Sequence, residues 1–121
     1  WMPRRLAKRG EPMTADHLRA NVKSTCQALA GLARDHEVVI THGNGPQVGL
    51  LALQYLAYRD VAAYPLDILG AETQGMIGDV VQQELTNALG EARHVAAVIT
   101  TAVVEDDDPA FSHPTKLIGP Q

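Results

Sequence analysis

The stretch His42-Gly-Asn-Gly-Pro-Gln-Val-Gly49 decides the fold predicted for this chain of 121 residues. The apolar run Val38-Val39-Ile40 leads into it, and a longer apolar segment, Val48–Tyr58, leads out of it. This order is typical of a buried strand, a glycine-rich turn and a helix. Pro46 suits the first turn of that helix, where a missing backbone N–H breaks no helical hydrogen bond. The sequence therefore predicts a strand–loop–helix unit centred on this stretch.

The loop of this unit is a candidate anion site. Gly43 and Gly45 permit positive φ angles and a close approach of the backbone to a ligand, and Asn44 tolerates the left-handed region. The free amides of the loop and of the first helical turn converge on one point, where the helix dipole also favours negative charge. The same residues suit a tight turn that binds nothing. The loop alone leaves both interpretations open.

Hydrophobic periodicity predicts further helices and strands around this unit. They are, in chain order, a helix over about Ala15–Arg34 capped by Thr14, a strand over Glu37–Thr41, a helix from a capping Asp67 to about Leu89 ended by Gly90, and a strand over Val95–Val104. Alternating strands and helices indicate an α/β fold with helices layered on a mainly parallel sheet. Such sheets bind ligands at the carboxyl ends of their strands, where the glycine loop is expected to lie.

Two features of the helices point to contacts beyond simple packing. The helix after the loop is apolar on nearly all sides, which indicates a second contact surface, either the rest of a larger domain or another subunit. Gly75 and Gly78 leave a bare stripe on the next helix. Such a stripe suits either close contact with a neighbouring backbone or contact with a ligand, and helix packing is the simpler explanation.

Composition excludes several classes of function. The net charge of −4 and the aromatic content of 4% give no indication of nucleic-acid binding. The single cysteine, Cys26, falls on the apolar face of a predicted helix and is expected to be a buried structural thiol. The run Glu105–Asp108 lacks calcium-loop spacing, so we expect an acidic turn and no metal site. No apolar run reaches the ~18 residues of a membrane span, so a cytoplasmic protein is the default expectation.

Four motifs in order give a more specific indication than the glycine loop alone. The His42–Gly49 stretch resembles a signature of the carbamate kinases, within the amino acid kinase family. The other three are Arg9-Gly-Glu-Pro-Met-Thr14, Tyr64-Pro-Leu-Asp-Ile-Leu-Gly-Ala-Glu-Thr-Gln-Gly-Met-Ile-Gly78, and Asp108-Pro-Ala-Phe111 with Pro114-Thr-Lys-Leu-Ile-Gly-Pro120. The resemblance extends from about Leu6 to Gln121.

The resemblance implies phosphoryl transfer between ATP and carbamate, with ADP and carbamoyl phosphate on the other side of the reaction. It also implies an αβα sandwich, a homodimer, and Mg²⁺ bound together with ATP or ADP. The chain would divide into an irregular arm (1–13), the N-terminal, carbamate-side part of the domain (14–103) and the start of a protruding arm (104–121).

The resemblance also assigns site residues. Asn44 and Lys116 are the catalytic candidates, with Lys116 contacting carbamoyl phosphate as a positive charge, since phosphoryl transfer depends on positioning and charge neutralisation. Gly43 and Gly45 would help Asn44 to cradle the phosphoryl group and carbamate. The remaining substrate- and phosphate-binding positions are Gln47, Thr73, Gln74 and Gly75.

Two parts of the family pattern have no counterpart in these residues. The family's first strand and its Gly-Gly-Asn-Ala loop correspond to Trp1–Arg5, which carries neither, and the nucleotide-binding half is not matched. We therefore expect an incomplete sandwich that is inactive by itself. Two alternatives remain: another amino acid kinase, of the N-acetylglutamate type, and a non-catalytic anion-binding or dimerising remnant. The Pro114-Thr115-Lys116 motif argues against the first alternative.

Overall fold

Three helices form the framework of the molecule. The structure is a computed structural model that describes residues 14–115. The helices are α1 (Ala15–Asp35), α2 (Gly45–Ala57) and α3 (Leu66–Leu89), and single 3₁₀ turns follow at Gly90–Ala92 and Pro109–Phe111. α3 packs against both α1 and α2 and is therefore the central element. The expected arm over 1–13 and the last six residues of the arm over 104–121 lie outside the described residues.

α1 has nearly the predicted bounds, and its predicted cap is confirmed. The Thr14 side chain accepts a hydrogen bond from the backbone N–H of His17 at 3.3 Å, which satisfies one of the free amides of the first turn. The helix buries one stripe of small and medium-sized side chains against α3. That stripe consists of Val22, Cys26, Ala30 and Ala33.

The core lies between α1 and the second half of α3. Val22 and Cys26 are 1% and 2% exposed, and they belong to one cluster with Val80, Leu85 and Leu89 of α3. Full burial of a valine or leucine side chain stabilises a fold by about 1.5–3 kcal/mol. The buried Cys26 confirms the expected structural thiol. Its Sγ lies 3.8 Å from the carbonyl oxygen of Val81, and desolvation, followed by the charge of Glu84, raises its pKa.

The ends of α3 confirm one prediction and correct another. Gly90 ends the helix with φ +60°, a conformation that glycine adopts without the steric cost of a Cβ. The expected cap at Asp67 is wrong, because the helix begins at Leu66 and its capping residue is Pro65. Asp67 instead lies in the first turn, where its negative charge still interacts favourably with the helix dipole.

The predicted sheet is not confirmed. No residue between 14 and 115 belongs to a strand, and the segments 37–41 and 95–104 have no regular secondary structure. Their apolar side chains are largely open to solvent, with Val39, Val98 and Val103 exposed by 90%, 80% and 94%. A strand needs a neighbouring strand to bond its N–H and C=O groups, and the two segments do not pair within the described range.

One glycine of the predicted stripe on α3, Gly78, packs against a non-helical segment. A Cβ built on Gly78 would lie 3.2 Å from the Cβ of Ala97, so the 95–104 segment approaches α3 closely there. A Cβ on Gly75 would meet nothing within 4 Å. Close backbone packing therefore explains Gly78, whereas the space beside Gly75 stays open.

The contacts of α2 use only one of its faces. Val48 and Gly49 are buried, whereas Leu53 and Leu56 are 52% and 66% exposed. The expected burial on several sides is therefore not supplied by residues 14–115. Within the same range, no helix has the length and apolar character needed to cross a membrane.

The acidic run forms a turn, as predicted. The backbone N–H of Asp108 donates to the carbonyl oxygen of Glu105 at 3.2 Å, and the Asp108 carboxylate accepts from the N–H of Ala110 at 2.8 Å. The second bond caps the 3₁₀ turn that follows.

Candidate functional site

Asn44 joins the glycine loop to the central helix. It lies directly before α2, and its backbone carbonyl accepts the hydrogen bond of Val48 at 2.9 Å. Its side chain does not cap α2. The Nδ2 group instead donates to Oγ1 of Thr73 at 2.8 Å and to the carbonyl oxygen of Gly70 at 3.2 Å, both on α3. The loop is therefore held at a defined place on α3.

Thr73 is the buried half of this junction. It is 2% exposed, and its Oγ1 lies 2.9 Å from the carbonyl oxygen of Leu69 and 3.0 Å from that of Gly70. A hydroxyl has one proton, so it donates to one of these carbonyls and accepts from Asn44. This pairing fixes the orientation of the Asn44 amide, because a flipped amide would place its oxygen against the Gly70 carbonyl.

The remaining polar atom of the Asn44 side chain is its oxygen. The two N–H bonds of Nδ2 are used by Gly70 and Thr73, and within residues 14–115 no donor reaches Oδ1. The side chain is half-buried, so its position is restricted while one acceptor remains usable. The arrangement can accept a hydrogen bond from the N–H group of a ligand.

The glycines of the loop leave open space and do not adopt unusual backbone angles. Gly43 and Gly45 do not adopt the positive φ angles that glycine permits, because Gly90 alone has one among the described residues. Asn44 has φ −134° and is not left-handed either. A Cβ on Gly43 or Gly45 would meet nothing within 4 Å, so the missing side chains leave open room beside the start of α2.

The start of α2 presents donors to this open room. Gly45 and Gln47 lie in the first turn, where backbone N–H groups have no helical carbonyl to bond, and Pro46 between them has no N–H. The positive end of the helix dipole adds to these donors. The N–H groups of Gly45 and Gln47 therefore lie in the first turn directly after Asn44, and their convergence on one anion stays a prediction.

Three other predicted site residues, Gln74, Gly75 and Lys116, do not take part in the contact between Asn44 and Thr73 as the structure describes it. Gln74 uses its amide to bind Thr100, whose N–H lies 2.9 Å from Oε1 and whose carbonyl oxygen lies 3.2 Å from Nε2. Gly75 borders open space. Lys116 lies outside the described residues. The structure thus brings Asn44 and Thr73 into contact and places Gln74 next to Thr73 along α3.

Sequence reasoning missed three partners in this region, which are Gly70, Thr100 and Glu72. Gly70 contributes through its carbonyl oxygen, and every residue has such a group, so no sequence signal marks it. Thr100 stands beside a second threonine inside an apolar run, and nothing in that pattern distinguishes it. Glu72 is a third participant, since its carboxylate accepts a 3.2 Å hydrogen bond from the hydroxyl of Tyr55. Desolvation and this contact raise the pKa of Tyr55.

The described residues supply no evident metal site. No group of three or more His, Cys, Asp or Glu side chains between residues 14 and 115 could hold an ion. The donors around Asn44 are amides and a hydroxyl, which suit an anionic or amide-bearing organic ligand better than Mg²⁺.

Comparisons of sequence and of structure both find carbamate kinases. No family model matches the chain. The carbamate kinase of Rhizobium meliloti is 56% identical over 115 residues, which are 95% of this chain and 36% of that protein. The structure of Giardia carbamate kinase superposes with a TM-score of 0.83 at 35% identity, over 90% of this chain and 40% of that one. Giardia lamblia carbamate kinase bound to AMP-PNP gives a TM-score of 0.77 at 33% identity, over 94% and 38%.

These likenesses first define a fold, because 90% of the chain superposes on a solved carbamate kinase structure. Within that fold, the chain is homologous to the carbamate kinases, and the resemblance drawn from its motifs is confirmed. The chain spans about a third of the length of the curated relative described above, 36% of it.

Proposed function

We propose that this chain supplies the carbamate side of a carbamate kinase-like phosphotransferase. In the proposed reaction an oxygen of carbamate bonds to the terminal phosphorus of ATP as the bond to the ADP oxygen breaks, and carbamoyl phosphate forms. The observation that carries the proposal is the Asn44–Thr73 junction, which fixes the loop whose sequence resembles a carbamate kinase signature. The names of the relatives favour carbamate over N-acetylglutamate as the acceptor.

The proposed binding mode follows from the donors and acceptors in place. The first-turn amides of Gly45 and Gln47 would bind the anionic phosphoryl or carboxylate oxygens. Oδ1 of Asn44 would accept a hydrogen bond from the amino group of carbamate. The bare positions Gly43 and Gly45 would let the ligand approach the backbone.

The proposed site also includes residues of α3 and of the arm. Thr73, Gln74 and Gly75 would border the same cavity, with the open space beside Gly75 available to the ligand. Lys116 would supply a positive charge to carbamoyl phosphate, an assignment that rests on the Pro114-Thr115-Lys116 motif. Residues 14–103 would form part of the carbamate-side domain, and 104–121 would begin the protruding arm.

The nucleotide is assigned to the part of the relatives that this chain does not match. The neighbour bound to AMP-PNP supports ATP or ADP as the second substrate. Mg²⁺ would accompany the nucleotide. We further propose that the 121 residues are inactive on their own and that the enzyme is a homodimer. The exposed Leu53 and Leu56 on α2 support a further contact surface.

Calorimetry and a coupled assay test the proposal together. We expect carbamoyl phosphate to bind the chain. Asn44→Ala should weaken this binding at least about tenfold, because it removes a hydrogen bond to the ligand. Gln54→Ala, an exposed change on α2, serves as the control and should leave binding unchanged. ATP formation from ADP and carbamoyl phosphate by the chain alone would overturn its proposed inactivity. A folded chain that does not bind carbamoyl phosphate would overturn the site.

A further inference from the structure

The side-chain amide of Asn44 faces two oxygen atoms of α3. One is the carbonyl oxygen of Gly70, which lies 3.2 Å from Nδ2 and can only accept a hydrogen bond. The other is Oγ1 of Thr73, at 2.8 Å. A hydroxyl both donates and accepts, so a free hydroxyl could pair with either end of the amide. The use of the Thr73 proton therefore decides how strictly the amide is oriented.

The proton of the Thr73 hydroxyl is used within α3. Oγ1 lies 2.9 Å from the carbonyl oxygen of Leu69, four residues earlier, and 3.0 Å from that of Gly70. Threonine in a helix often donates to the carbonyl four residues back, and this leaves only oxygen lone pairs for Asn44. Both neighbours of the amide therefore act as acceptors. A flipped amide would lose two hydrogen bonds and place Oδ1 against a carbonyl oxygen.

The fixed orientation leaves Oδ1 of Asn44 available beside open space. No donor between residues 14 and 115 pairs with this oxygen, although the side chain is half-buried. The flanking positions Gly43 and Gly45 are bare, since a Cβ on either would meet nothing within 4 Å. An N–H or O–H group of a small ligand could bond to Oδ1 there. An aliphatic group in the same place would desolvate the oxygen without replacing its hydrogen bond.

We propose that Asn44, oriented by Thr73, makes the site selective for acceptors that carry a hydrogen-bond donor on the carboxyl carbon. Carbamate has such a donor in its amino group, whereas acetate has a methyl group of similar size there. The site therefore binds carbamoyl phosphate in preference to acetyl phosphate, although both carry the same phosphoryl group. Thr73 is 2% exposed and acts through Asn44, so it is a positioning residue. The selectivity rests on the proposed function, whereas the orientation of the amide does not.

Calorimetry of the 121-residue chain with carbamoyl phosphate and with acetyl phosphate tests the selectivity. We expect the wild-type chain to bind carbamoyl phosphate about tenfold more tightly, the ratio that one net hydrogen bond supplies. Asn44→Ala removes Oδ1 and should reduce this ratio to about one. Gln54→Ala, an exposed change on α2, should keep the wild-type ratio.

Two variants of Thr73 test its orienting role. Thr73→Val keeps the shape of the side chain but leaves the Asn44 amide with the Gly70 carbonyl alone, so the amide can rotate. We expect the ratio of the two affinities to fall about three- to fivefold. Thr73→Ser keeps the hydroxyl and should retain most of the ratio. Because the ratio compares two ligands on one variant, a fraction of unfolded chain weakens both apparent affinities equally and leaves the ratio unchanged.

NMR of the wild-type chain tests the orientation without a ligand or a substitution. The Nδ2 protons of Asn44 both form hydrogen bonds, so they should exchange with solvent more slowly than those of Asn87, an exposed amide on α3. Equally fast exchange at the two side chains would show that the Asn44 amide is not held, and the proposal would be wrong.

The outcomes separate the selectivity from the proposed function. A wild-type chain that binds the two phosphates equally well would overturn the selectivity and leave the proposed function standing. An unchanged ratio in Thr73→Val would overturn the positioning role of Thr73. A folded wild-type chain that binds neither phosphate would overturn the proposed function, and the selectivity would fall with it.

Discussion

Nδ2 of Asn44 lies 2.8 Å from Oγ1 of Thr73, a contact between residues 29 positions apart in sequence. It ties an exposed glycine loop to a side chain that is 2% exposed on the central helix. Without Asn44, the buried Thr73 oxygen loses the N–H from which it accepts, and without the Thr73 hydroxyl, one N–H of Asn44 loses its acceptor. The geometry of the proposed site therefore depends on this pair.

A double-mutant cycle measures the contribution of the pair to stability. We expect Asn44→Ala and Thr73→Val each to lower the free energy of unfolding by about 1–2 kcal/mol, since the first removes both Nδ2 hydrogen bonds and the second removes the acceptor of one of them. The two changes together should cost less than their sum, with a coupling of about 1 kcal/mol. Urea denaturation followed by circular dichroism gives the four values.

Thr73→Ser is the matched control for this cycle, because it keeps the hydroxyl and removes only a methyl group. It should remain coupled to Asn44. Additive costs for Asn44→Ala and Thr73→Val would show that the 2.8 Å contact contributes nothing, and the proposed positioning of the loop would be lost with it.

The glycines of the helices predict a second stability pattern. Gly31→Ala and Gly75→Ala add a Cβ into open space and should raise stability by about 0.5–1 kcal/mol each, because alanine favours the helix. Gly78→Ala places a Cβ 3.2 Å from that of Ala97, so its gain should be smaller or reversed. Thermal unfolding of the three variants measures the difference. Equal gains at all three positions would contradict the close approach of the 95–104 segment.

The raised pKa of Cys26 predicts how stability depends on pH. The unfolded thiol ionises first as pH rises above about 8.5, so the unfolded state binds fewer protons than the folded state. The contribution of Cys26 is fully present below that pH and is lost as pH rises toward its raised pKa in the folded state. The unfolding free energy of the wild type should therefore fall more steeply above pH ~8.5 than that of Cys26→Ala.

The comparison uses the slope of the unfolding free energy against pH and not its absolute value. The small cavity in Cys26→Ala shifts the absolute value at every pH but does not change the slope. The other titrating groups are common to both proteins and cancel in the difference. Parallel curves between about pH 8 and 10 would show that the thiol ionises as freely in the folded chain as in the unfolded one.

The helices and their ends could be predicted from the sequence because their causes are local. The spacing of Val22 and Cys26, the hydroxyl of Thr14 and the flexibility of Gly90 each act within a few residues. The sheet could not be confirmed in the same way, because a strand depends on a neighbour that its own residues do not specify. Apolar runs such as Val38–Ile40 predict burial, but burial requires a partner.

The candidate site residues stay predictions, and their contacts could not be read from the sequence. The motif loop and α3 motif named Asn44, Thr73 and Gln74, and the structure places them together. Their roles differ from a simple ligand cradle, because Thr73 orients Asn44 and Gln74 binds Thr100. Side-chain bonds to backbone groups 26 residues away depend on the three-dimensional fold, and the sequence pattern carries no signal for them.

We propose that this chain carries the carbamate side of a phosphotransferase. The most direct test replaces the homologous 115-residue segment of the Rhizobium meliloti carbamate kinase with that of this chain and measures ATP formation from ADP and carbamoyl phosphate. We expect the hybrid enzyme to form ATP, Asn44→Ala to lower kcat/KM at least about tenfold, and Gln54→Ala to leave it unchanged. A hybrid that binds ADP but forms no ATP, or that is indifferent to Asn44→Ala, would contradict the claim.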